Sequence, residues 1–369
     1  MNYHIGSSHV SSDIRATVGE ACAGFNDPKL ILFWSPVDHF EEYAREIKQR
    51  FPRSISMGAT CIMSINNKGA SKNELLCVGI ESGITCAADV LDEVDRFPIK
   101  YSDRVEKCVK EVGNNRNTLC LEFTSAFLCA EESVLATLNS VLLPRGIPVV
   151  GGTAGNNAVE TITKVALNGI VRERTSVFCI IHNEGGAIHF YRENIYKPVP
   201  GMNDMIATRV DIKNRVVKEY DHIPAAEAFS RALGVPESSI ATYFDTHPLG
   251  RVAGDELFIT ANQEATSDRG MSYHARVYSN TRMKLLEPDD YRRVNKETCE
   301  IIKKECPSPS FAIMIHCLAR TLLFNNEGYM QEFARLMGSV LGSYVGFSGY
   351  GEQLKQHHFN QTAIMVVFE

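Results

Sequence analysis

Leu119-Cys120-Leu121-Glu122-Phe123-Thr124-Ser125 and, after a run to Leu143, Pro148-Val149-Val150-Gly151-Gly152-Thr153-Ala154-Gly155 decide the fold. Both stretches read as apolar strands. Between them Val134, Leu135, Leu138, Val141 and Leu142 fall on one face of a helix. A strand, a helix packed back on it and a second strand make a β-α-β unit. The same plan occurs twice more. Leu30-Ile31-Leu32-Phe33-Trp34-Ser35 leads through a helix with Phe40, Tyr43, Ala44, Ile47 and Phe51 on one face to Ile55-Ser56-Met57-Gly58-Ala59-Thr60-Cys61. Phe311-Ala312-Ile313-Met314-Ile315-His316-Cys317 leads through Met330, Phe333, Ala334, Met337, Val340 and Leu341 to Tyr344-Val345-Gly346-Phe347-Ser348-Gly349-Tyr350-Gly351. Each repeat brings small residues to the carboxyl ends of its strands, where open α/β sheets bind ligands. Gly151, Gly152, Gly349 and Gly351 would let a ligand approach the main chain.

The chain has 369 residues, 44% of them apolar, and a net charge of −6. That suffices for two domains with ordinary cores. The mild acidity argues against nucleic-acid binding, which needs a basic face. No run of about 18 apolar residues is present, so no membrane span is expected. Met1 to His9 is polar and reads as no signal peptide. Eleven cysteines form no CxxC pair. Cys120, Cys129, Cys179 and Cys317 sit in apolar stretches and read as buried thiols of a reducing cytoplasm. No clustered ligand spacing announces a metal site.

Residues 1–27 read as a polar lead-in with one short helix around Asp13 to Cys22. Ala87 to Val112 reads as mostly helical, interrupted near Pro98. Alternating runs from 164 to 220 suggest antiparallel strands. Pro224 opens a short helix that Gly234 ends. The expected boundaries are a module at 28–220 and a second at 221–369.

Gly151 to Gly155 has GGxxG spacing rather than GxGxxG, and no helix clearly follows. A tight turn lining another pocket fits it better than a nucleotide phosphate site. Cys317 is a nucleophile only if His316 or His358 lowers its pKa. Period-two alternation points His316 to the opposite strand face from Cys317, and burial raises a thiol pKa. His357 and His358, adjacent on a strand, point to opposite faces and make a poor metal pair. Arg320 is a candidate carboxylate or phosphate clamp, with a surface ion pair as the ordinary alternative. Asn360 and Gln361 carry donors and acceptors that suit an amide, carboxylate or amino-acid-like ligand, or equally a pinned loop.

Ile223-Pro224-Ala225-Ala226 with Ala232-Leu233-Gly234 looks like the motif xPAxxxYxxxLG. His247-Pro248-Leu249-Gly250 and Gly254-Asp255-Glu256 look like PLG…DE, and Leu286-Glu287-Pro288-Asp289-Asp290 like an acidic turn before a helix. Cys317-Leu318-Ala319-Arg320 looks like CxxR. Gly346 to Glu352, then Asn360-Gln361-Thr362, look like GFxxYGE…HNQT. Val150 to Asn156 looks like xGGSAGD, and Ile55 to Cys61 looks more weakly like xGCTTAG. In this order the motifs resemble the FIST family, with a FIST-N-like module at 28–220 and a FIST-C-like module at 221–369. The implied fold is α/β: two modules with mixed β-sheets covered by helices and repeated β-α-β units.

The resemblance implies a cytoplasmic, small-molecule-sensing signal-transduction protein rather than an enzyme. Its ligand would be an amino acid or related metabolite. It would signal through a partner such as a histidine kinase, or through a second copy of itself as a homodimer. The ligand-binding residues expected are Thr153, Ala154, Gly155, Cys317, Arg320, Tyr350, Asn360 and Gln361, with no metal and no required cofactor. A haem-binding nitric-oxide sensor is the second reading. Phe359 stands where the family usually has His before NQT, which counts against haem, although His358 is adjacent. A Cys317-dependent enzyme is the third.

Overall fold

The computed structural model describes residues 1–156, 162–254 and 256–369. Asp255 of the acidic motif lies outside them. The chain forms two compact units. The larger contains Met1–Arg192, Lys296–His357 and Ala363–Glu369; the smaller contains Glu193–Asn295 and His358–Thr362. The chain thus enters the smaller unit twice.

All three repeats lie in the larger unit, and each has its parallel pair. Leu30–Ser35 runs beside Ile55–Thr60, Thr118–Thr124 beside Val149–Thr153, and Phe311–Cys317 beside Tyr344–Gly349. Antiparallel neighbours complete a separate mixed sheet around each pair. The helices Phe40–Arg50, Glu131–Leu142 and Met330–Leu341 begin with acidic first turns, which suit the positive end of a helix dipole. Their apolar faces are buried as the periodicity requires: Phe40, Tyr43, Ala44 and Ile47, then Val134, Leu135, Leu138, Val141 and Leu142, then Met330, Phe333, Ala334, Met337 and Leu341. Phe51 and Val340 are only partly buried. The third repeat carries an extra helix, Leu318–Asn326.

One aromatic ring from each repeat meets the other two. Trp34 stacks on Phe347, and Phe123 packs edge-on against both, with centroid distances of 5.4 to 5.8 Å. All three side chains are fully buried.

Three expectations need correction. Residues 84–92 are a strand, Ile84–Asp92, paired antiparallel with Thr175–Asn183; the helix begins only at Ser102. Cross-strand pairing in a buried sheet overrides the helical propensity of Ala87 and Ala88. The lead-in contains a strand, Asn2–His9, paired with Glu74–Ser82 along one sheet edge, where polar side chains are tolerated. Cys129 is exposed, in a left-handed conformation (φ 51°) in the loop before Glu131–Leu142. The helix Ile14–Ala21 is present as expected, with Asp13 Oδ1 accepting from the Ala16 N–H.

The smaller unit is built on antiparallel strand pairs, among them Leu249–Ala253 with Glu256–Thr260 and Met205–Asp211 with Val216–Tyr220. The helix Ala225–Leu233 buries Phe229 among Tyr220, Met271 and Tyr273. Pro224 precedes its first turn, and Gly234, at φ 68°, ends it.

Candidate functional site

In the larger unit, strand pairing gathers most of the expected ligand residues. Cys317 lies opposite Gly349, and the Tyr350 N–H donates to the Thr153 carbonyl at 3.0 Å. The Ala154 N–H donates to the Thr124 carbonyl at 2.8 Å and the Gly155 N–H to the Thr60 carbonyl at 2.9 Å. The Tyr350 hydroxyl donates to the Asn156 carbonyl at 3.0 Å, while its ring meets Phe127 edge-on at 5.1 Å.

The room left by these glycines is taken by protein atoms. A Cβ on Gly151 would lie 2.2 Å from the Glu122 carbonyl oxygen, and one on Gly349 would lie 2.1 Å from the Thr153 carbonyl oxygen. Close approach here is strand against strand.

Arg320 is not at the surface. It is fully buried, its Nε–H donates to His316 Nε2 at 3.3 Å, and its guanidinium lies 5.3 Å from the Phe324 ring centre and 5.8 Å from that of Phe333. His316 Nδ1 faces Thr321 Oγ1 at 2.8 Å, and that hydroxyl also meets Ser348 Oγ at 2.7 Å. Burial, and then the Arg320 charge, hold the His316 pKa well below its usual value, so the ring is neutral. With Nε2 accepting from Arg320, the proton sits on Nδ1 and is donated to Thr321. His316 therefore has no nitrogen to spare for Cys317.

A buried carboxyl group stands in the sheet of Thr118–Thr124 and Val149–Thr153. Glu122 is fully buried; its Oε2 accepts from Thr124 Oγ1 at 2.6 Å and Ser176 Oγ at 3.1 Å, and its Oε1 has no partner. Burial raises its pKa to about 8, the two hydroxyls oppose the shift, and Glu131 adds to it. Glu131 accepts from Thr153 Oγ1 at 3.3 Å, and Thr153 accepts from Gln353 Nε2 at 3.0 Å. The sequence carried a signal for this cluster: one carboxylate inside an apolar strand.

Asn360 and Gln361 belong to the smaller unit. Asn360 Oδ1 accepts from the Ala261 N–H at 3.2 Å, and Gln361 Nε2 lies 3.4 Å from the Asp245 carbonyl. Next to Ala261, Asn262 directs its Nδ2 to the His247 carbonyl at 3.5 Å. The amide oxygens of Gln361 and Asn262 are both buried and both lack a hydrogen bond. Gln361 also holds a left-handed backbone, φ 56°, at 1% exposure. An unsatisfied buried acceptor costs about 1–3 kcal/mol, and a left-handed non-glycine residue of order 1 kcal/mol more. Buried acceptors of this kind suit a group that brings N–H donors.

Phe359, in place of the family's usual histidine, is buried and stacks on Phe258 at 5.5 Å. His358 Nε2 lies 3.2 Å from the His274 carbonyl and 3.5 Å from Asn360 Nδ2, so its contacts are with protein groups of the same unit. Surface depressions of about 460 Å³ along Asp103, Glu106, Lys107, Lys110 and Glu111, and about 230 Å³ at residues 198–203, contain none of the candidate residues. Among the described residues no helix is long and apolar enough to cross a membrane.

A family model described as FIST N domain matches residues 29–223, and one described as FIST C domain matches residues 225–355. No curated protein matches. Among solved structures, PurLQS from Thermotoga maritima aligns at 10% identity over 99% of this chain and 71% of that chain, with a TM-score of 0.19. A likeness that low carries no argument.

Proposed function

The chain belongs to the FIST family, and from that membership we propose a cytoplasmic signal-transduction protein that binds a small metabolite bearing N–H donors, an amino acid or a close relative. FIST modules are associated with sensing small ligands. The observation that carries the finer reading is the Gln361 amide oxygen, buried without a partner on a strained backbone. An ammonium or amide N–H supplies what that oxygen lacks, and Asn360 and Asn262 stand beside it in the hydrogen-bond pattern. Signalling then passes to a partner protein, a histidine kinase being the kind the family suggests, or to a second copy of the chain.

Binding is favoured over turnover. Catalysis by Cys317 needs an activating base oriented by a third group, and both nitrogens of the neighbouring His316 are engaged. The haem reading finds no support in Phe359 or His358. The experiment is a calorimetric screen of amino acids, their amides and simple amines against the full chain, repeated with Asn360→Ala and Gln361→Leu. Saturable binding weakened at least tenfold by either variant is expected. Failure of every compound to bind, or affinity unchanged in both variants, sinks the proposal.

A further inference from the structure

His189, Cys306 and Glu369 come from three distant parts of the sequence, and one imidazole nitrogen, the thiol sulfur and one carboxylate oxygen lie within 4.8 Å of one another in the larger unit. We infer that these three side chains form a binding site for a divalent transition-metal cation of the zinc class.

The donor set selects that class. Imidazole, thiolate and one carboxylate match zinc, cobalt and nickel, whereas magnesium and calcium take oxygen ligands almost exclusively. Tetrahedral zinc bonds of about 2.0–2.3 Å place ligand atoms roughly 3.5 Å apart. His189 Nε2 and Glu369 Oε1 already stand at 3.0 Å.

The surroundings hold these groups as an outer shell would. The Ala187 N–H donates to Glu369 Oε2, leaving Oε1 turned toward His189. The main chain of Glu369 is tied by its N–H to the Ala187 carbonyl and by its carbonyl to Asn183 Nδ2. His189 lies on the sheet-edge strand Ile188–Asn194, where its ring stacks parallel to Tyr191. Cys306 directly follows the helix Tyr291–Glu305, and the Ser308 backbone N–H is directed at its sulfur. His189 and Glu369 are partly exposed, which leaves an entry path and a fourth coordination position open to water.

A second feature points to the same place. Tyr191, on the same strand as His189, is 8% exposed, and its hydroxyl has no partner of ordinary hydrogen-bond geometry, although the Glu305 carboxylate acts on it. A metal-bound water is a natural partner for it. A simple half-exposed His189–Glu369 ion pair contributes little stability and leaves the placement of Cys306 and Tyr191 without a purpose. On binding, Cys306 releases its proton to solvent and coordinates as the thiolate.

The test is titration of the chelator-treated full chain with cobalt(II) under anaerobic conditions, followed by displacement with zinc. One equivalent of cobalt is expected to raise a near-ultraviolet thiolate-to-cobalt band, which zinc abolishes. Cys306→Ser should remove the band, and His189→Gln and Glu369→Gln should each weaken cobalt affinity at least tenfold. Absence of the band, or a band that survives Cys306→Ser, overturns the inference. If Cys306→Ser does not fold, the two more exposed variants decide: unchanged affinity in both overturns it as well.

Discussion

Trp34 and Phe347 stack with ring centroids 5.8 Å apart and planes 15° from parallel. Trp34 lies next to the end of the first strand of the first repeat and Phe347 lies in the second strand of the third. A contact between residues so far apart in sequence ties two of the repeated units together, and Phe123 ties in the remaining one. Trp34→Ala should destabilise the protein by about 3–5 kcal/mol, since it empties a fully buried site. Denaturant unfolding measures this. A loss under 1 kcal/mol would mean that the repeats are held elsewhere. Trp34 is the sole tryptophan, so its emission in the parent chain reports on this junction directly.

Stability should fall as pH rises from about 5 to 8.5, and Glu122 should be responsible. Its pKa is raised in the fold from 4.5 to about 8. Between those values the folded chain holds more protons than the unfolded chain, so rising pH favours unfolding. Glu122→Gln keeps the shape and removes the titration. It should flatten the pH profile and leave the variant more stable than the parent at pH 8.5 by about 1–3 kcal/mol. Parallel profiles for the two proteins would refute the assignment.

Gln361→Gly separates strain from recognition. Glycine relieves the left-handed backbone, so thermal stability should rise by an amount equivalent to about 1 kcal/mol. The same change removes the amide, so metabolite affinity should drop. A variant that is less stable and still binds would show that the side chain serves the fold alone.

Cys317 should resist alkylation in the native state. It is 4% exposed, and the imidazole beside it is neutral and engaged on both nitrogens. Iodoacetamide at neutral pH should label exposed Cys129 first and Cys317 only under denaturing conditions, as peptide mass spectrometry resolves. Rapid native labelling of Cys317 would revive the enzyme reading.

The parts of the fold legible in the sequence are those where one local pattern has one physical outcome. Three apolar strand pairs joined by amphipathic helices could bury their surfaces in few ways, and the parallel pairs followed. Ile84–Asp92 was hidden because Ala87 and Ala88 at its centre favour a helix locally, and only its partner strand decides otherwise. Arg320 misled because a lone arginine after a strand is usually solvated; the rings of Phe324 and Phe333 that enclose it are invisible as neighbours until the chain folds. Asn360 and Gln361 were legible as a polar pair, but not the left-handed turn or the unpaired oxygen. His189, Cys306 and Glu369 were beyond reach, because no short spacing links them.

Neither compact unit is a continuous stretch of chain: the smaller needs His358–Thr362, and the larger needs Ala363–Glu369 after that. During synthesis, neither unit can therefore close until the ribosome has passed residue 362. Asn360 and Gln361 lie in that returning segment. A nascent or truncated chain ending before them would lack these two amides, so metabolite recognition should mature only after residue 361 has been made.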